Sequence, residues 1–340
     1  MIRVWALLLI ATLLTSCENG KRELHLYSWA DMFDPDVIAE FEEKCDCRVV
    51  LDSYDSNEML YAKLRAGAKG YDLIFPTYYY EQILTKQGML ERIDVERIPN
   101  LKNLDREVLK PIEKSLLQYS VPFAVSYTGL GYRRDRIDDF DFSWRVYGDK
   151  KYRRRMTLLN DEREVLGIAL ITLGHSPNST DEEEIEAAAD LVIEWKKNIA
   201  KFENEQYKNG IATAEFLIVQ GYSSDLMQVA DENPNVGFAF PKEGAIISYD
   251  QMAIPKGAQD VDLAYEFMNF LYTPGVAARN MERIFERIPN KEAYLLLSKK
   301  TLGLIGLFPP PEIFEKLVPL EDVGEHILLY HKAWERVKES

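Results

Sequence analysis

The sequence predicts an α/β protein with two domains, and two features of the chain indicate this fold class. After Glu23, short apolar runs alternate with amphipathic helical segments, as in the strand-helix-strand units of a parallel sheet. The 340 residues also exceed what one hydrophobic core usually organises. In open parallel sheets, ligands bind at the carboxyl ends of the strands. Functional side chains are therefore expected directly after the predicted strands.

The first part of the chain is predicted to form three strands joined by two helices. The predicted strands are residues 24–27, 48–54 and 71–75. The first helix is expected to begin at Asp34, a favourable capping residue. Asp55 with Glu58 is a candidate capping pair for the second helix. Trp29 and residues 77–80 follow the first and third strands, so they lie where a ligand site is expected.

A second group of elements follows residues 129–132. Strand patterns recur at residues 156–159, 215–219 and 250–255. Thr180 and Glu183 form a candidate capping box before the clearest helix, and Leu263 begins the apolar face of a later one. The order of elements indicates that the chain passes through each domain twice. We expect lobe 1 to comprise residues 24–126 and 253–284, and lobe 2 to comprise residues 127–252 and 285–340.

Residues 1–16 are typical of an export signal. Arg3 precedes an apolar run, residues 4–14, which is shorter than the about 20 residues needed to span a bilayer. The ending Leu14-Thr15-Ser16-Cys17 resembles the bacterial lipobox, in which the cysteine is acylated and becomes the mature N-terminus. This resemblance implies a periplasmic protein anchored to a membrane through Cys17. An ordinary cleaved signal with an incidental cysteine is the alternative.

Composition narrows the class of partner. The formal net charge of −15 makes nucleic acid and anionic membrane surfaces poor partners, and it is compatible with a cationic ligand. Cys45 and Cys47 match neither a zinc nor a redox spacing, and whether they form a strained bridge stays open. The four histidines have no metal-ligand spacing, and the chain carries no phosphate loop or nucleophile motif. No metal, cofactor or enzymatic activity is therefore predicted.

Several short segments resemble the bacterial periplasmic spermidine/putrescine-binding proteins. Residues 27–31, Tyr-Ser-Trp-Ala-Asp, are similar to an aromatic-Asn-Trp-x-acid segment of that family. Further similar segments are residues 54–58, 61–64, 71–73, 76–79, 163–165, 241–244 and 253–255. The resemblance implies the type II periplasmic-binding-protein fold, with two α/β lobes, a ligand cleft and a hinge. It also implies a monomeric receptor for a polyamine that delivers its ligand to the permease of an ABC transporter and touches the membrane only through its anchor.

The same resemblance assigns ligand-binding residues in the first lobe. Trp29 matches an aromatic wall of the ligand cleft, and Asp31 matches an acid two residues further on. Thr77 and Tyr79 match a hydroxyl residue and a tyrosine after the third strand. Aromatic faces can hold the methylene groups of a polyamine and attract its ammonium groups by cation–π interaction.

In the second lobe the resemblance assigns mainly acids. Asp161 and Glu164 match an acid pair of spermidine receptors, and Glu164 also matches the acid of putrescine receptors. Tyr222 matches an aromatic wall, Asp225 a carboxylate, and Asp250 the aspartate that binds an ammonium group. Ammonium groups that leave water need such carboxylate partners.

The chain departs from the family pattern at four positions. Met32 and Glu286 stand where tyrosines are usual, Tyr222 replaces a tryptophan, and Ser248 replaces a second wall aromatic. These changes affect the area of the aromatic wall and the placement of acids, which together set the preferred chain length. The presence of Asp225 favours putrescine as the ligand, and spermidine remains an alternative.

Other interpretations of these residues are left open. The same fold could bind another organic cation, such as thiamine. Asp161 and Glu164 could instead act as the acid/base pair of a hydrolase. Each residue could also have a purely structural role: Trp29 in the core, and Asp31 or Asp161 in a turn or helix cap.

Overall fold

The computed structural model describes residues 21–137 and 140–340. The predicted export signal and Cys17 lie outside the described residues. Within them, ten strands form two sheets. In chain order the strands are β1 (Arg22–Trp29), β2 (Cys47–Tyr54), β3 (Leu73–Ile74), β4 (Val121–Arg133), β5 (Met156–Leu158), β6 (Lys201–Phe202), β7 (Ile218–Tyr222), β8 (Val236–Ala239), β9 (Ala245–Met252) and β10 (Leu317–Pro319). The first sheet has the order β2-β1-β3, and the second has the order β10-β9-β4-β7-β5-β6, with β8 also pairing with β4.

Thirteen α-helices connect these strands in the described residues. In chain order they are α1 (Pro35–Cys45), α2 (Asn57–Arg65), α3 (Tyr78–Lys86), α4 (Glu162–Leu173), α5 (Glu182–Lys196), α6 (Gln206–Ala212), α7 (Ser223–Glu232), α8 (Val261–Leu271), α9 (Pro274–Ile284), α10 (Lys291–Tyr294), α11 (Lys299–Leu302), α12 (Pro311–Phe314) and α13 (Ile327–Glu339). Among the described residues, no helix has both the length and the apolar composition needed to cross a lipid bilayer.

The first sheet is parallel and is covered on both faces. β1 runs parallel to β2 and to β3. Successive side chains of a strand point to opposite faces. Leu26 accordingly packs in the core cluster that contains Val37 of α1, whereas Tyr27 packs in a second cluster with Leu60 of α2. Burial of both faces is what the apolar runs of a parallel strand require.

The second sheet contains two long strands, β4 and β9, and the end of β9 also reaches the first sheet. β4 and β9 pair in antiparallel fashion from Val121↔Met252 to Tyr127↔Ile247. At the end of β9, isolated bridges join Ala253 to Ile74 and Asp250 to Thr77. The predicted lobe boundaries, 126/127 and 252/253, fall within β4 and at the end of β9. The division of the chain into lobes at these residues stays a prediction.

The strand predictions agree with the structure best in the first sheet. Residues 24–27 and 48–54 lie within β1 and β2, and residues 71–75 contain β3. The predicted strand at 215–219 is shifted, because β7 begins at Ile218. β9 begins at Ala245, earlier than the predicted residue 250, because residues 245–247 pair with β10.

The helix starts were predicted with mixed success. Asp34 caps α1, as predicted. Ser56, and not Asp55, caps α2, because Ser56 has the extended backbone and its Oγ accepts a first-turn N–H at 3.2 Å. Asp181, and not Thr180, caps α5, with its carboxylate accepting two first-turn N–H groups. Both of these predictions were wrong by one residue.

Cys45 and Cys47 form a disulfide between the end of α1 and the start of β2. Their Cα atoms are 5.2 Å apart. Asp46 between them has a left-handed backbone, with φ at 47°, which turns the chain from helix to strand. The sequence alone did not decide whether these two cysteines are bridged. In the structure the disulfide is part of this tight connection.

Candidate functional site

Four of the predicted site residues lie at the ends of strands or directly after them. Trp29 is the last residue of β1, and Tyr222 is the last residue of β7. Thr77 and Asp161 follow β3 and β5 and precede α3 and α4. Because β1 and β3 are parallel, as are β5 and β7, each pair of residues lies at one edge of its sheet.

These strand ends line a cavity of about 380 Å³, a volume typical of small-molecule sites. The structure brings all nine predicted site residues to this cavity: Trp29, Asp31, Thr77, Tyr79, Asp161, Glu164, Tyr222, Asp225 and Asp250. The cavity therefore joins residues that are up to 221 positions apart in the chain. Their individual roles in ligand binding stay predictions.

Two aromatic side chains reach the cavity from different sheets. Trp29 is half-buried and packs on the ring of Tyr54, with ring centroids 4.6 Å apart. The Tyr54 hydroxyl donates a hydrogen bond to the Phe75 carbonyl at 2.5 Å, which fixes the ring behind Trp29. Tyr222 is also half-buried, and its backbone N–H donates to the Tyr207 hydroxyl at 3.3 Å. The cavity thus has aromatic surface at two places.

The first buried acid group consists of Asp161 and Glu164. Asp161 caps α4, and its Oδ1 accepts the N–H groups of Arg163 and Glu164 at 2.9 and 3.0 Å. The Thr128 hydroxyl donates to Glu164 Oε2 at 2.7 Å. The cap role that the sequence allowed for Asp161 is therefore confirmed, and the residue lines the cavity as well.

Burial changes the acidity of both members of this group. Burial, and next the neighbouring Asp161, raises the pKa of Glu164 to about 8. Burial raises the pKa of Asp161 to about 6, against the lowering effect of the backbone N–H groups that it accepts. Each carboxyl group would ionise more readily with a cation beside it.

The second buried acid group consists of Asp250 and Glu286. Asp250 is 5% exposed, and its Oδ1 has no hydrogen-bond partner among the described residues. Glu286 Oε2 likewise has none in the described parts of the chain. Burial, and next the carboxyl group of Glu286, raises the pKa of Asp250 well above its usual range. Burial raises the pKa of Glu286 to about 7, although the Ser224 hydroxyl lowers it.

Glu286 is the main acid that the predicted site did not include. The sequence showed only that an acid stands where the resemblance implied a tyrosine, and this departure was the available signal. The structure places it in the cavity because Arg287 pairs with Val125 of β4. The Arg287 side chain binds Asp105, with Nη2 2.9 Å from Oδ2.

Asp225 and Asp31 differ from the buried acids. Asp225 lines the cavity, but its Oδ2 accepts the Tyr207 hydroxyl and its Oδ1 lies 3.5 Å from Lys208 Nζ. Asp31 is exposed at the cavity rim and has a left-handed backbone, with φ at 54°, in the turn after β1. Both acids therefore have a structural role in addition to the predicted one.

The lining of the cavity is strongly acidic. It carries ten carboxyl side chains against one lysine and one histidine. Lys208 is engaged by Asp225 and Glu205, and His331 Nδ1 lies 2.8 Å from Glu162 Oε2. In the described residues, no group of three or more His, Cys, Asp or Glu side chains has an arrangement suited to a metal ion. The arrangement favours an organic cation with more than one charge.

Comparison with known proteins identifies relatives over nearly the whole chain. Residues 36–301 match the family described as bacterial extracellular solute-binding protein. The putrescine-binding periplasmic protein of Escherichia coli is 32% identical, over 94% of this chain and 92% of that protein. The spermidine/putrescine-binding periplasmic protein of Salmonella typhimurium is also 32% identical, over 93% and 91% of the two chains.

Solved structures give the same result for the fold. A lipoprotein of Treponema pallidum is 30% identical, with a TM-score of 0.86 over 93% of this chain and 99% of that one. The spermidine/putrescine ABC transporter substrate-binding protein of Streptococcus pneumoniae is 27% identical, with a TM-score of 0.83 over 94% and 99%. The predicted type II periplasmic-binding-protein fold is confirmed. This chain belongs to the bacterial extracellular solute-binding proteins and is a relative of their spermidine/putrescine-binding members.

Proposed function

We propose that the protein is a non-catalytic receptor that binds a polyamine, putrescine or spermidine, and delivers it to the permease of an ABC transporter. The observation that carries this proposal is the presence of four buried carboxyl groups and two aromatic walls around one cavity. The names of the relatives point to the same ligand class. The family to which the chain belongs supports a role in transport.

The buried acids explain why the ligand should be an amine. A carboxylate that leaves water without a partner costs several kcal/mol, and an ammonium group at hydrogen-bond distance offsets much of this cost. Asp250 and Glu286 each have a buried oxygen without a hydrogen-bond partner of good geometry among the described residues. Ammonium groups of a ligand are the natural partners for these oxygens.

The aromatic side chains suit the rest of the ligand. The methylene groups of a polyamine can lie against the rings of Trp29 and Tyr222, which reach the cavity from different sheets. Each ammonium group over a ring adds about 0.5–2 kcal/mol by cation–π interaction. The ligand thus contacts residues of both predicted lobes, which favours the closed form by a shift of population. A closed, liganded receptor is the form that we expect the permease to recognise.

The function is tested by isothermal titration of the protein after denaturation, removal of bound ligand and refolding. We expect putrescine or spermidine to bind with a Kd in the micromolar range or below. 1,4-Butanediol, which matches putrescine in length but has no charge, should not bind. Thiamine and a panel of glycosides test the alternative ligands.

Thermal unfolding gives a second measurement of the same interaction. A ligand at 100 times its Kd should stabilise the protein by about 2.7 kcal/mol. Absence of both heat and stabilisation with every polyamine would contradict the proposal. Turnover of a glycoside that is lost in Glu164→Gln would favour the hydrolase instead.

We infer further that the protein is held at the periplasmic side of a membrane by an acyl chain on Cys17. The lipobox-like ending at residues 14–17 supports this, as does the description of the Treponema pallidum relative as a lipoprotein. We expect Cys17→Ser to move the protein from the membrane fraction to the soluble fraction of cells. Ser16→Ala, which keeps a small residue before the cysteine, is the control. Equal membrane retention of Cys17→Ser and the wild type would refute the anchor.

A further inference from the structure

We propose that Glu286 binds an ammonium group of its own, so that the cavity selects a linear triamine such as spermidine over the diamine putrescine. This inference rests on the polyamine function proposed above and specifies the number of charges on the ligand. The evidence for it is the placement of three carboxyl groups, those of Asp250, Glu286 and Glu164, relative to β4.

β4 reaches the cavity at Ser126, and the pairing of this strand locates each acid. Ala124 pairs with Asp250 of β9, and Val125 pairs with Arg287 on the opposite edge of β4. The antiparallel register then places Glu286 opposite Ser126, a cavity residue, so both side chains lie on the same face. Asp250 and Glu286 therefore approach the cavity from the two sides of one strand.

Glu164 defines the third position. Its carboxylate is held by Thr128, which lies four residues along β4 from Ala124 and on the same face. Four residues of a strand span about 13 Å. The three carboxyl groups thus approach the cavity from different backbone positions: Asp250 and Glu286 from the two sides of β4, and Glu164 from further along it.

The dimensions of the ligands decide between a diamine and a triamine. An extended chain rises about 1.25 Å per single bond, so the two nitrogens of putrescine are about 6 Å apart. The outer nitrogens of spermidine are about 11 Å apart, with a third nitrogen between them. Spermidine alone of the two carries a nitrogen for each of the three carboxyl groups, and its length lets these nitrogens reach different parts of the cavity.

Asp225, the other acid considered as a partner for a third ammonium group, already has partners within the protein. Asp225 accepts the Tyr207 hydroxyl and lies beside the ammonium group of Lys208. Glu286 Oε2, in contrast, has no partner in the described residues and is buried from solvent. Asp250, which is more than nine-tenths buried, also directs an unpartnered oxygen to the cavity. The structure therefore leaves Glu286, and not Asp225, available for a third ammonium group.

The test compares the two ligands in the wild type and in Glu286→Gln by isothermal titration. We expect the wild type to bind spermidine more tightly than putrescine. Glu286→Gln should weaken spermidine binding about 10-fold or more, the usual effect of losing a hydrogen bond to a charged group, and change putrescine binding by less than about 3-fold. Glu266→Gln, on the exposed surface of α8, removes the same charge away from the cavity and should change neither affinity.

Ligand analogues test the inference on the unaltered protein. N-Butylputrescine and N-pentyl-1,3-diaminopropane each match spermidine in length but carry a methyl group in place of one terminal nitrogen. The analogue that lacks the nitrogen bound by Glu286 should bind to the wild type about 10-fold or more weakly than spermidine does. The Glu286→Gln substitution should not weaken the binding of this analogue any further. If no polyamine binds at all, the proposed function fails. If both polyamines bind and Glu286→Gln weakens them equally or not at all, only the triamine inference fails.

Discussion

Replacing Asp250 by asparagine is expected to weaken polyamine binding by about 2 kcal/mol or more, which is about 30-fold or more in Kd. Asp250 is 5% exposed, and its Oδ1 has no partner among the described residues, so the ligand would supply the missing one. Asparagine keeps the shape of the side chain but removes the charge. The ammonium group would then be buried beside a neutral amide, which is the costly half of a broken charge pair.

Isothermal titration measures this change directly, and circular dichroism checks the fold. Asp262→Asn is the matched control, because Asp262 lies on the exposed surface of α8 and pairs with Arg97. We expect the control to bind polyamine like the wild type. The melting temperature of ligand-free Asp250→Asn should not fall, since the change relieves the burial of a carboxyl group. A nearly unchanged polyamine affinity in Asp250→Asn would show that the residue is not a ligand contact.

Polyamine affinity is expected to rise steeply with pH between about 6 and 8. In the ligand-free protein, burial raises the pKa of Asp161 to about 6, of Glu286 to about 7 and of Glu164 to about 8. These groups therefore hold protons in the window where they would be needed as anions. A bound ammonium group favours the ionised form and lowers each pKa, so binding releases protons.

The sign of the effect follows from this release. Each proton released makes the affinity rise tenfold per pH unit inside the window, and we expect a gain of about tenfold or more from pH 6 to pH 8. At higher pH the affinity should fall as the ligand amines lose their own protons near pH 10. Titration in buffers with different ionisation enthalpies counts the protons. Glu164→Gln should flatten the upper part of the profile, and a pH-independent affinity between 6 and 8 would refute the role of the buried acids.

The sequence predicted which residues would come together at the cavity better than it predicted the individual element boundaries. Trp29 and Thr77 could be placed correctly because a strand pattern before them identifies the carboxyl end of a parallel strand. The caps of α2 and α5 were wrong by one residue because adjacent polar residues can both accept first-turn N–H groups. The start of β9 was missed because it depends on pairing with β10, far along the chain.

Glu286 shows most clearly what the sequence could not reveal. No local pattern around it indicates a ligand site, and it follows the end of α9. Its place in the cavity depends on the backbone pairing of Arg287 with Val125, a contact between segments more than 150 residues apart. For Asp225 the sequence could not reveal that the carboxylate is already bound. Its contacts with Tyr207 and Lys208 are visible only in three dimensions.

The four buried carboxyl groups also affect the receptor when it is empty. Without a cation among them, each group must either hold a proton or repel its ionised neighbours, and both effects oppose a movement that buries them closer together. We therefore expect the empty receptor to favour an open form. The same groups that bind the amine would thus disfavour closure when no ligand is present.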